Sequence, residues 1–148
     1  MIKINYVTYA AAATVLIASL FAARSFGGSG VDSPDYSAQD LCGESYSIVD
    51  EHRIDSGSDV KVKVSIGYNS DTKSFCGVVV REDNSPKASM SVSLTVPGHP
   101  SDTDKGDAAD YAGPVFVYAK QQCTKWGGSV NDTQWTSPRQ QCGAVTAD

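Results

Sequence analysis

Two histidines, His52 and His99, are the side chains of this 148-residue chain whose ordinary titration range suits proton transfer near neutrality. His52 follows Asp50 and Glu51 near the end of a β-prone stretch, and His99 lies in the turn Pro97-Gly98-His99-Pro100. Neither sits in a catalytic motif, and no serine has the GxSxG context of a nucleophile elbow. A small hydrolase using His52 or His99 is therefore the weakest of three readings, and the chain is taken as non-enzymatic. The run Asp102-Thr103-Asp104-Lys105-Gly106-Asp107-Ala108-Ala109-Asp110 gathers carboxylates of the kind a calcium ion takes as ligands. An EF-hand loop wants Gly at its sixth position and Glu at its twelfth, whereas counting from Asp102 places Gly106 fifth and Gly113 twelfth. The run is expected to be a solvated acidic loop. No cofactor is implied.

Four cysteines, Cys42, Cys76, Cys123 and Cys142, carry redox or metal chemistry only if their thiols stay reduced. No CxxC or HxxxH spacing supports a zinc site. In an exported chain this small, an even number of cysteines points to two disulfides, for which three connectivities exist. The pairing taken here is Cys42 with Cys76 and Cys123 with Cys142, which closes loops of about 20 to 35 residues at roughly 3 to 4 kcal/mol apiece. Tyr111, Tyr118, Trp126 and Trp135 concentrate in the C-terminal third. They can form a binding surface that stacks on sugar rings or peptide, or pack as core around the second disulfide. Asn131-Asp132-Thr133 matches an N-glycosylation acceptor, which marks a loop.

The elements that must position these groups read as strands. Val60, Val62, Val64 and Ile66 alternate with Asp59, Lys61, Lys63 and Ser65, and Met90, Val92, Leu94 and Val96 alternate with Ser89, Ser91, Ser93 and Thr95. A period of two predicts strands with one wet face. Tyr46 to Ile54, Phe75 to Glu82 and Pro114 to Ala119 are further β-prone stretches rich in Val, Ile, Tyr or Phe. The polar connection from Tyr68 to Lys73 predicts an antiparallel hairpin whose second strand carries Cys76. No amphipathic helix is expected after residue 30, which excludes parallel βαβ units. The fold class is all-β: a small antiparallel sandwich or barrel with two disulfides.

Upstream, the apolar run Tyr9 to Ala23 is short for a membrane span and ends at Arg24, as in a signal peptide over residues 1–25. Residues 26–40, with Gly27, Gly28, Gly30 and Pro34, read as a flexible leader, and 41–148 as the disulfide-stabilised domain. The full chain has a net charge of −5. Removal of residues 1–25 takes away Lys3 and Arg24 and no acid, leaving 10 basic and 17 acidic residues and a charge of −7. Nucleic acid and other polyanions are repelled at long range by such a field, and no cluster of Lys or Arg along the sequence offsets it. Nucleotide chemistry is also excluded, since no GxGxxG or GxxxxGK[ST] loop occurs.

The blocks Cys42-Gly43, Tyr46, Val49-Asp50, Tyr68-Asn69, Cys76 with Val78 to Val80, Tyr111-Ala112-Gly113-Pro114-Val115, Cys123, Lys125-Trp126-Gly127-Gly128-Ser129, Ser137-Pro138 and Cys142-Gly143 stand in a recognisable order. Together they resemble the spore-associated protein A family of streptomycetes and related actinobacteria, over roughly residues 36 to 143. YAGPV and KWGGS, with the four cysteines in order, are the most specific elements. The resemblance implies a small secreted protein of the spore or cell surface, with cell-wall or spore-surface components as partners, no membrane span after signal cleavage, and no catalytic residues to carry over. A secreted inhibitor or ligand- or glycan-binding module, presenting the segment from Pro97 to Asp110, is the alternative from a different class.

Overall fold

The computed structural model of the protein describes residues 36–57, 60–84, 86–108, 110–120, 122–138 and 140–142. The expected signal peptide and residues 26–35 of the leader lie outside the described residues. Among the described residues nine strands follow one short helix: α1 (Ala38–Cys42), β1 (Ser47–Asp55), β2 (Lys61–Asn69), β3 (Ser74–Arg81), β4 (Ala88–Thr95), β5 (Asp102–Ala108), β6 (Tyr111–Tyr118), β7 (Cys123–Val130), β8 (Thr133–Thr136) and β9 (Gln141–Cys142). One sheet has the order β1-β2-β3-β6; the other has β5-β4-β7-β8, with β9 added to β7. Every pairing is antiparallel.

The two period-two stretches behave as their patterns dictate on one face. Val62, Val64 and Ile66 of β2 and Met90, Val92 and Leu94 of β4 are fully buried and meet in one core with Phe75, Val79, Trp126 and Val130. The sheets therefore stack face to face as a β-sandwich. Glycine admits side chains of the opposite sheet at two points. A Cβ on Gly128 would lie 2.7 Å from Val79 Cγ2 and 3.0 Å from Val64 Cγ2, and one on Gly113, whose φ is +93°, would lie 3.1 Å from Val92 Cγ1. Those glycines belong to the KWGGS and YAGPV blocks, so the blocks mark where backbone has replaced side chain at the sheet contact.

The outer faces differ from each other. On β4, Ser89, Ser91, Ser93 and Thr95 are half exposed, and the Ser91 hydroxyl pairs with that of Ser129 at 2.6 Å. On β2 the outward Lys61 is exposed and Lys63 half exposed, as its pattern predicts, while Ser65 is buried; the outer face of β3 is instead covered, Cys76, Val78 and Val80 forming a second apolar cluster with Ala38 and Cys42. That cover is α1, which also corrects the expectations of no helix and of a leader extending to residue 40. Ser37 caps the helix by accepting the Asp40 N–H, while the Asp40 carboxylate accepts the Ser37 N–H. Alone, five residues are too few to hold a helix. The Cys42–Cys76 disulfide and burial of Ala38 against the sheet supply what propensity does not.

The Cys42–Cys76 and Cys123–Cys142 pairings are both present, closing separations of 34 and 19 residues. Cys123 and Cys142 face each other directly across β7 and β9. The β2–β3 hairpin forms as its polar turn predicts, with Asn69 paired to Ser74.

Candidate surface-binding site

The acidic run does not form the loop that its composition suggests. Asp102 to Ala108 is strand β5, paired along its length with β4, so only residues 96–101 connect the two strands. This also shortens the segment available for presentation as an inhibitory loop. Register places Asp102 opposite Leu94 and Asp104 opposite Val92, positions whose partners face the core. At the sheet edge these carboxylates instead reach the free side of β6. The Gly113 N–H donates to Asp104 Oδ2 at 2.7 Å, and the Phe116 N–H donates to Asp102 Oδ2 at 3.3 Å. Charged groups turned inward on an edge strand block strand addition, and here they also satisfy donors that β6 would otherwise leave unpaired. Among the described residues no group of three or more His, Cys, Asp or Glu side chains is placed to hold a metal ion.

The histidines are far apart in role. His52 sits within β1 and stacks on Trp135 of β8, ring centroids 3.9 Å apart and planes 8° from parallel. Trp135 in turn meets Trp126 edge to face at 4.9 Å. Trp126 is 1% exposed and belongs to the core, so the sequence grouping of Trp126 and Trp135 with the surface tyrosines separates in space. The reason is register: Trp126 lies opposite Leu94, on the inward face of β7. His99 occupies the exposed turn after β4, its N–H bonded to the Val96 carbonyl at 3.0 Å.

Tyr111 and Tyr118 belong to a different surface. Across the β3–β6 pairing, Tyr111 stands opposite Val80, Phe116 opposite Cys76, and Tyr118 opposite Ser74. Val80 and Cys76 face α1, so all three rings emerge on the same outer face. Tyr36 packs edge to face on Tyr111 at 4.9 Å, and Tyr46 tilts against Phe116 at 5.6 Å. The turn carrying Tyr46 is held by Gln39, whose Nε2 donates to the carbonyls of Gly43 and Tyr46 at 2.9 and 2.7 Å. Tyr36, Phe116 and Tyr118 are 44%, 45% and 64% exposed, and among the described residues the one other exposed large apolar side chain is Val49. The result is an aromatic ridge along β6, rigid because it is built on a strand and buttressed by a disulfide-anchored helix.

Phe116, Tyr46 and Tyr36 are site residues that the sequence reading missed. Phe116 had a signal: it is two residues from Tyr118 in a predicted strand, hence on the same face. Tyr36 and Tyr46 had none, since their positions depend on where α1 docks. Among the described residues no helix is long and apolar enough to cross a membrane.

No family model matches the chain, and no solved structure does. Among curated proteins, spore-associated protein A of Streptomyces coelicolor is 32% identical over 108 residues, covering 72% of this chain and 68% of that protein. With two thirds of each chain aligned at that identity, and the cysteine pairing and glycine-rich blocks in place, the chain belongs to the spore-associated protein A family.

Proposed function

We propose that this protein is an exported, non-enzymatic component of the spore or cell exterior, and that it attaches there through the aromatic ridge of β6. The observation that carries the reading is the concentration of Tyr36, Phe116 and Tyr118 on one outer face of a domain whose other outer face is lined by serine and threonine. Exposed rings on a rigid strand combine apolar area with little ordering cost, the combination that stacking on a sugar or peptide requires. Spore association of the Streptomyces relative, as its name states, supports that location. Two disulfides suit an oxidising exterior. His52 serves as a packing group in this reading, its ring face being occupied by Trp135.

The test is fractionation of a producing culture into medium, wall and spore extract, with wild type compared to the double variant F116A/Y118A. Wild type is expected in the wall or spore fraction, and the variant, still folded by circular dichroism, in the medium. Recovery of all wild-type protein free in the medium, or identical partitioning of the two, would overturn the proposal.

A further inference from the structure

The turn at the Tyr118 end of the ridge brings together two lysines 47 positions apart in sequence. Asn69, itself buried, accepts the Asp71 and Thr72 N–H groups through Oδ1 at 2.9 and 3.1 Å and so fixes the β2–β3 turn. The Lys73 carbonyl then accepts the Ala119 N–H at 3.0 Å, which sets Lys73 beside Tyr118-Ala119-Lys120. Lys73 and Lys120 both adopt left-handed backbone, with φ of +56° and +54°. Among the described residues Asn131 is the one other non-glycine residue with positive φ. Such conformations cost energy, and they persist where the surroundings over-determine them, often at ligand clamps.

Both lysines are exposed, and among the described residues neither forms an ion pair. Asp71 shares the turn, exposed and unpaired with Lys73. Two exposed lysines are therefore brought by the backbone next to Tyr118, at 64% exposure the most exposed large aromatic side chain among the described residues, on a protein that is acidic as a whole. The long-range field discourages a polyanion, but two lysines within side-chain reach of one exposed ring suit a single anionic sugar, with the ring taking the pyranose face and the ammonium groups the charge.

We infer that Lys73, Lys120 and Tyr118 form a subsite for an anionic, carboxylate-bearing sugar unit of a surface polysaccharide. The inference rests on the reading of the β6 ridge as the attachment face and adds the charge of what it holds. The experiment is calorimetric titration of the disulfide-bonded protein with hexagalacturonate, with chitohexaose as the neutral arm and poly(glycerol phosphate) as a charged arm without sugar rings. Hexagalacturonate is expected to bind about tenfold more tightly than chitohexaose. K73Q/K120Q should remove that preference and leave chitohexaose binding unchanged, whereas Y118A should weaken both. D71N, which removes the nearby carboxylate, should strengthen hexagalacturonate binding. If K73Q/K120Q leaves the preference intact, or if poly(glycerol phosphate) binds as well as hexagalacturonate and ignores Y118A, the subsite is overturned while the ridge stands. Absence of binding to all three overturns the subsite too; the ridge itself fails if all wild type is free in the medium or if F116A/Y118A partitions as wild type does.

Discussion

The two open sides of the sandwich are closed by opposite chemistry. Where β5 meets β6, the contact is polar: Asp102 and Asp104 accept backbone N–H groups from a strand of the other sheet. Where β1 meets β8, the contact is aromatic, with His52 laid flat on Trp135 and Trp135 against Trp126. The first seam satisfies donors and repels incoming strands, while burying little area. The second buries ring surface that continues into the core. A side closed by acids can thus be lost with the core intact, whereas a side closed by rings cannot.

That comparison is open to direct attack. The largest effect should follow W126A, which empties a buried site at the root of the aromatic seam and is expected to cost about 3–5 kcal/mol in urea unfolding. Next, D102A/D104A should cost about 1–3 kcal/mol, since two edge donors lose charged acceptors. Its more telling readout is sedimentation velocity, where the uncovered β6 edge should appear as concentration-dependent self-association absent from wild type. A double-mutant cycle on His52 and Trp135, each replaced by Ala, should return a coupling of about 0.5–1.5 kcal/mol for the stacked pair. Smallest of all, F116A/Y118A should move unfolding by no more than about 0.5 kcal/mol, because both rings are exposed and neither belongs to the core. A large loss of stability there would show that the ridge is structural.

Much of the scaffold was legible from residue order. Alternation of Val62, Val64 and Ile66 with polar neighbours, and of Met90, Val92 and Leu94 with serines, located β2 and β4, because a half-buried strand can hide its apolar side chains in no other period. The cysteine pairing expected from the sequence is the one present, although three connectivities were open. By contrast β5 left no trace, as a strand whose outward neighbours are water and whose inward positions carry aspartate lacks the apolar repeat. Strand β7 was masked by Gly127 and Gly128, which are glycine because a Cβ would strike Trp135 or Ser91 backbone and not because the chain turns. Helix α1 was announced only by Ser37 and Asp40, a capping pair too common to outweigh its brevity. As for the site, Tyr111 and Tyr118 were found by composition, but whether a ring points inward is a matter of register. Register separated Trp126 from them. The pairing of Lys73 with Lys120 depended on a contact between the β2–β3 turn and the end of β6, which no linear spacing encodes.

Closure of the Cys42–Cys76 bond decides more than the position of one helical turn. A chain that folds while its thiols are still reduced has only the docking of five residues to shield Val78 and Val80, so its hydrophobic floor lies next to the exposed rings of β6. In a reducing cytosol the newly made polypeptide would be adhesive toward its own kind. If export occurs as proposed, oxidation there would be a maturation step that covers Val78 and Val80 and leaves only the narrow strip of β6 rings in the open.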